Sequence, residues 1–282
     1  MNDKSSLFKT EDGKAAFLNS YNQLLAKCSV PYEELNMNTR YGKTYIVACG
    51  DKSLPPLILL HGSGSNSSMW IGDIANYSKN YRVFAVDIPG DPGKSEEKQY
   101  SLKSSAYSEW MDDVLRSLQL QKASFIGISL GAWMIINFAV KHPAKVDKIV
   151  LISPSGIGPQ KISFMLKAIP LMLLGEKGRD MVTRLVNGNQ SIPEEALKNQ
   201  KLISRHYKFR TESVPIFTDS ELSRLTMPVM LIAGEKDVML HSKKSVERLS
   251  RLLPDANVNL LPDYGHVLIN LTHSILPFLL AD

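Results

Sequence analysis

Cysteine is almost absent from this chain of 282 residues. Cys28 and Cys49 are the only two, too few for a disulfide framework or for a four-ligand metal site. Two thiols without partners fit a reducing, cytoplasmic setting. A long apolar run is missing as well. The first fourteen residues, MNDKSSLFKTEDGK, hold no apolar core of a secretory signal. The richest apolar stretch, Ser163 to Leu174, is interrupted by Lys167 and Pro170 and is too short to span a bilayer. Charge of one sign is scarce too: 33 basic against 28 acidic side chains leave +5. Basic residues gather no further than pairs such as Lys243-Lys244, with no interleaved aromatics, so neither nucleic acid nor a membrane is the expected partner. What is plentiful is ordinary globular material. Apolar residues make up 44 % of the chain, which excludes disorder, and a chain this long buries roughly 75 % of its unfolded surface without staples.

The apolar residues are ordered in a telling way. Residues 11–27 pattern as an amphipathic helix on Phe17, Leu18, Tyr21, Leu24 and Leu25. Two strand-like runs over 32–49 follow, with Tyr41-Gly42 as their hairpin turn. Short continuous apolar runs then recur at 57–60, 83–86, 124–128, 149–152 and 229–232. Continuous rather than alternating apolarity predicts strands buried on both faces, as in a parallel sheet. Helical patterns at 69–79, 103–119, 130–142 and 242–252 separate them, which is the mark of a doubly wound α/β fold. The rhythm lapses between Gly156 and Leu222, where only helical segments appear. Ser191, with Pro193 and Glu194 behind it, predicts a capped helix start with a capping-box acid. This insertion holds ten Lys and Arg against seven Asp and Glu. Its run from Phe164 to Leu174 is too apolar for a helix facing water, and must face the sheet, a ligand or a partner. Met165, Leu166, Ile169, Leu171 and Met172 are candidates to line an acyl pocket, with packing against the core or a dimer partner as the alternative. The organisation expected is an N-terminal helical extension (1–31), an α/β core in two parts (32–155 and 223–282) and a helical cap (156–222). The N-terminal helix is expected to dock on the core.

Gly127-Ile128-Ser129-Leu130-Gly131 is a G-x-S-x-G motif that ends one strand run and opens a helical one. A serine on such a turn projects its hydroxyl away from the sheet, and the helix N-terminus behind it offers N–H groups to a developing oxyanion. Serine needs a base oriented by an acid. Among the six histidines, His61 reads as a turn-former, His142 as a helix end, and His206, His241 and His273 as packing or surface residues. His266, in Asp263-Tyr264-Gly265-His266, follows a strand-like run, at the sheet edge where open α/β folds bind ligands. The acid expected is Asp237, after the strand 229–232, with Glu235 as its neighbouring rival. No carboxylate follows the strand ending near Ile152, where the sequence reads Ser153-Pro154-Ser155-Gly156. The small-residue loop His61-Gly62-Ser63-Gly64 is expected to supply one oxyanion N–H, from Ser63 in preference to Gly64, and Leu130 the other.

On these motifs the chain resembles the α/β hydrolases of the capped serine-carboxylesterase type, from about Arg40 onward. The resemblance includes Trp70, the loop Asp87-Ile88-Pro89-Gly90-Asp91-Pro92-Gly93-Lys94-Ser95, the serine turn, Gly234 with Asp237, and Gly265-His266. It implies an eight-stranded, mostly parallel sheet flanked by helices, its second strand antiparallel, with a helical cap inserted after strand six. It further implies hydrolysis of carboxylic esters of small or medium acyl groups through an acyl-enzyme, with no cofactor or metal. A homodimer, through the apolar run of the insertion or the N-terminal helix, is a candidate assembly. Thioesters, lactones or carbon–carbon bonds are alternative substrates on the same residues, and a triad-retaining receptor with slow turnover is the alternative of another class. Asp91 departs from the family, which more often has a bulky or basic residue there.

Overall fold

A computed structural model describes residues 6–188 and 190–281 and leaves the side chain of Met165 outside that description. The first five residues of the N-terminal extension, Asn189 of the insertion and the last residue therefore lie outside it too. The strands are β1 (Tyr32–Thr39), β2 (Gly42–Cys49), β3 (Pro56–Leu60), β4 (Arg82–Val86), β5 (Ala123–Ile128), β6 (Val146–Ile152), β7 (Val229–Gly234) and β8 (Asn257–Leu261). They form one eight-stranded sheet in the order β1-β2-β4-β3-β5-β6-β7-β8. β2 runs antiparallel to both of its neighbours, and every pairing from β4 to β8 is parallel.

The continuous apolar runs give two cores because successive side chains of a strand point to opposite faces. On β3, Ile58 and Leu60 face one side and Leu57 and Leu59 the other. The first face packs on α3 (Ala106–Ser117), α4 (Leu130–Ala139) and α9 (Ser242–Leu252), through Trp110, Met134 and Leu249. The second is covered by α1 (Glu11–Leu25), α2 (Ile71–Tyr77) and α10 (Thr272–Leu280), through Phe17, Tyr21, Ile74, Tyr77 and Ile275. α10 starts six residues beyond His266, after Asn270 in a left-handed conformation at φ 58°.

Between β6 and β7 lie α5 (Ile162–Leu173), α6 (Gly175–Asn187), α7 (Glu194–His206) and the short α8 (Asp219–Leu222). Ser191 does not cap α7. Pro193, extended at φ −54° and ψ 143°, precedes the first helical residue and makes no side-chain cap bond. The capping box belongs instead to α8, where Thr218 and Glu221 bond each other's backbone N–H. α5 does not turn its apolar face to the sheet. Ile162, Leu166, Ile169 and Leu173, spaced along one helical stripe, are all more than half exposed, while Ala168 is buried.

α1 docks on the core as expected, and it also holds the insertion. The segment before it pairs with the chain after α7, through the Phe8–Tyr207 bridge and the Lys9 N–H on His206 O at 2.8 Å. Gly13 lies so close to α7 that a Cβ there would sit 2.4 Å from His206 Nδ1.

Candidate active site

Six loops leave the sheet at the carboxyl ends of its parallel strands, and the predicted residues lie on them. Register brings them level. Ile128 of β5 pairs with Ile152 of β6, and Ile152 pairs with Ile232 of β7, so the turns that follow begin side by side.

Ser129 occupies the turn between β5 and α4 with φ 51° and ψ −107°. That is a strained backbone for a residue carrying a Cβ, of the kind that persists where the surroundings over-determine it. The surroundings here are tight. Its N–H bonds Ile152 O at 2.9 Å. Gly131 passes so near β3 that a Cβ would meet His61 O at 2.5 Å and Leu60 O at 2.6 Å. Gly127 is equally confined, with Ala132 N 2.7 Å from a Cβ position. Both glycines of the motif are therefore required by close approach, and neither has a positive φ.

Asp237 and His266 meet across adjacent loops. His266 Nδ1 lies 2.8 Å from Asp237 Oδ2, and both residues are buried. The other carboxylate oxygen, Oδ1, accepts the N–H groups of Met239 at 2.7 Å and Leu240 at 3.0 Å. Burial acts to raise the Asp237 carboxyl. The His266 hydrogen bond and charge, with the Leu240 and Met239 N–H groups, outweigh it and hold the group below its ordinary value. Anionic Asp237 therefore fixes the Nδ1–H tautomer of His266 and leaves Nε2 free to accept a proton. The rival Glu235 is exposed. Gly234 keeps the two loops together, since a Cβ there would lie 2.2 Å from the carbonyl oxygens of Tyr264 and Gly265.

His61 is fixed in another role. Its Nε2 accepts the Ile88 N–H at 2.9 Å and its Nδ1 donates to Gly62 O at 2.8 Å, with the ring fully buried. In the loop after it the two candidate donors differ. The Gly64 N–H is taken by Asp91 Oδ1 at 2.7 Å. The Ser63 N–H has no acceptor among the described residues. Leu130 opens α4, so its N–H is one of the orphan donors of a helix start.

Two serines on the β6 loop were not singled out by sequence. Ser155, buried, has its Oγ 3.4 Å from Ser129 Oγ. Ser153, buried at φ 42°, donates its hydroxyl to His266 O at 2.8 Å. What places both is the pairing of β6 with β5, which lets their loops emerge at the same edge. The insertion reaches the site at two points. Phe209 lies against Gly64, its Cε1 2.5 Å from where a Cβ would stand, and Gly188 approaches Gly265, whose Cα is 3.8 Å from a Cβ position. Among the described residues, no group of three or more His, Cys, Asp or Glu is arranged to hold a metal.

A mostly parallel eight-stranded sheet, a helical insertion after β6 and a serine on the sharp β5–α4 turn make up the architecture of an α/β hydrolase. A family model for the alpha/beta hydrolase fold matches residues 55–171. The carboxylesterase YbfK of Bacillus subtilis (strain 168) is 32 % identical, over 94 % of this chain and 92 % of that protein. The crystal structure of that carboxylesterase, CesB (YbfK), superposes with a TM-score of 0.86 at 31 % identity, covering 95 % of this chain and 99 % of the other. Naproxen esterase (carboxylesterase NP) from Bacillus subtilis gives a TM-score of 0.87 at 28 % identity, over 96 % and 99 %. The chain belongs to the α/β-hydrolase family.

Proposed function

We propose that the protein is a serine carboxylesterase, with Ser129 as nucleophile, His266 as general base and acid, and Asp237 as the acid that orients His266. The observation that carries the reading is the 2.8 Å pairing of His266 Nδ1 with Asp237, on the sheet edge where Ser129 stands in its strained turn. His266 Nε2 takes the Ser129 proton as Oγ attacks the ester carbonyl carbon. The carbonyl oxygen becomes an oxyanion and accepts the N–H groups of Ser63 and Leu130. Collapse breaks the bond to the alcohol oxygen, which leaves with the proton from His266. Water, deprotonated by the same nitrogen, then attacks the acyl carbon; the bond to Ser129 Oγ breaks, Oγ takes the proton back from His266, and the carboxylic acid leaves. The carboxylesterase relatives support ester over thioester, lactone or carbon–carbon substrates, and enzyme over receptor.

Residues 156–222 act as a cap on this reading. The approach of Phe209 to Gly64 and of Gly188 to Gly265 supports it. The substrate is a small-molecule ester, and the exposed stripe of α5 supports pairing with a second copy, which light scattering of the eluted protein tests by mass. Two free thiols, Cys28 and Cys49, support a cytoplasmic location.

The test is turnover of p-nitrophenyl esters from acetate to decanoate by wild type and Ser129→Ala. The reading expects turnover with an optimum at short or medium chains and loss of at least ~10⁴-fold in kcat in the variant. Equal rates for the two proteins would exclude it.

A further inference from the structure

Asp91 is a buried carboxylate at the rim of the oxyanion loop, on the residue where the chain departs from the family pattern. Its Oδ1 accepts the Gly64 N–H at 2.7 Å. Gly64 has φ 69° and is roofed by Phe209, so this bond and that ring together fix the backbone immediately after Ser63. A peptide plane is rigid. Whatever sets the direction of the Gly64 N–H also fixes the Ser63 carbonyl in the same peptide plane, and so anchors one side of Ser63, leaving its φ and ψ to aim its own N–H. The carboxylate thereby removes one donor from the reacting oxygen and narrows the freedom of the residue that carries the next.

The loop bearing Asp91 is itself firmly held. Asp87 accepts the Lys94 N–H at 2.7 Å and the Ser67 N–H at 2.8 Å, and the Tyr207 hydroxyl donates to Gly90 O. Arg210 sits beside Asp91 with its side chain 7 % exposed, bonded to Tyr100 O at 2.6 Å and to the Tyr107 hydroxyl. Burial pushes the Asp91 carboxyl up from its ordinary value, opposed by the His61 ring, the Gly64 N–H and Arg210. Among the described residues the Gly64 N–H is the hydrogen bond this buried side chain accepts, which makes that bond the contact to test.

We propose that Asp91 is a positioning residue for ester hydrolysis, holding the Gly64 N–H so that the Ser63 N–H alone of this loop meets the oxyanion. The assignment rests on the esterase reading above. Positioning acts in the transition state, where charge develops on the carbonyl oxygen, so it enters kcat and leaves KM nearly unchanged. Losing a whole oxyanion donor lowers kcat by ~10²–10³. A donor left in place but misdirected gives part of that.

The experiment compares wild type, Asp91→Asn and Asp91→Ala on p-nitrophenyl butyrate. Asp91→Ala is expected to lose about 10- to 100-fold in kcat, with KM within about threefold. Asp91→Asn keeps an oxygen that accepts the Gly64 N–H and is expected to stay within about fivefold of wild type. A kcat for Asp91→Ala within about twofold of wild type overturns the assignment. So does a loss carried by KM alone, or a fall in Asp91→Asn as deep as in Asp91→Ala. Ester turnover that survives Ser129→Ala overturns the esterase reading and this assignment together, whereas Ser129-dependent turnover indifferent to Asp91 overturns this one alone.

A second readout needs neither activity nor the Ala variant to fold. Pairing ¹³C-carbonyl serine with ¹⁵N-glycine marks only the two Ser-Gly steps in the sequence, at Gly64 and Gly156. The Gly64 amide proton of wild type is expected far downfield, as for a donor to a carboxylate, and displaced upfield in Asp91→Asn while Gly156 stays put. Coincident Gly64 signals in the two proteins overturn the assignment.

Discussion

Asp237→Asn separates the electrostatic from the steric work of the acid. The two carboxylate oxygens are not equivalent: among the described residues, Oδ1 receives the Met239 and Leu240 N–H groups and Oδ2 receives only His266. An amide placed here must put its oxygen where the two donors converge, because an NH₂ facing them would leave both buried backbone N–H groups without an acceptor. Its NH₂ is then directed at His266 Nδ1. The ring answers by presenting Nδ1 as acceptor, which moves its proton to Nε2, the nitrogen required to take the Ser129 proton. An acid-to-amide exchange of this kind lowers kcat by ~10⁴, which is ~5.4 kcal/mol at ~1.36 kcal/mol per factor of ten. Both backbone donors stay satisfied, so the variant should stay folded, losing at neutral pH only the stability that the charge of Asp237 contributes. The assay is kcat for p-nitrophenyl butyrate, alongside the rate of fluorophosphonate labelling, which should fall in parallel. An Asp237→Asn protein that folds as wild type and retains more than a tenth of its kcat would refute the tautomer argument.

Other perturbations follow from the same geometry. Gly131→Ala drives a methyl into His61 O and Leu60 O, at 2.5 and 2.6 Å, and is expected to destabilise by ~1–3 kcal/mol, read as a lowered urea midpoint with unchanged slope. Tyr21→Phe deletes the α1 hydroxyl that donates to buried Asp87 at 2.9 Å, and should cost ~1–3 kcal/mol in the same titration. Asp237, held below its ordinary value near 3.8 in the folded protein, stabilises the fold above that value and loses this contribution as pH falls through the lower folded value. Urea unfolding at descending pH should therefore show wild type losing stability relative to Asp237→Asn below about pH 4, and parallel curves would contradict the depressed carboxyl.

The sheet was legible because strands buried on both faces read as unbroken apolar runs. Leu57 to Leu60 and Val83 to Val86 could face no water on either side, and each supplies both cores. Ser129 and Asp237 were placed for a related reason, since each follows such a run, whereas His266 follows the partly buried edge strand β8 and was placed by its position after a strand-like segment. The parts that were hidden depend on contacts between segments distant in sequence. Ser155 reaches Ser129 only because β5 and β6 are neighbours. Asp91 showed as a departure from the family pattern, yet nothing in the sequence fixed which N–H its carboxylate would take. The grip of the N-terminal segment on α7 rests on Phe8, Gly13, His206 and Tyr207, which have no periodic pattern linking them. The run from Phe164 to Leu174 is apolar enough to need cover, and its Leu166, Ile169 and Leu173 nonetheless face outward. Apolar composition sets the tendency of a helix to be covered, not the identity of what covers it.

The most direct test of the catalytic reading is the site of covalent capture. Wild-type protein is treated with a fluorophosphonate, the adduct is weighed intact, and the modified peptide is sequenced by mass spectrometry. A single adduct is expected on Ser129, absent from Ser129→Ala and strongly slowed in His266→Ala. An adduct on Ser155, whose hydroxyl lies 3.4 Å away, or labelling that persists in Ser129→Ala, would contradict it.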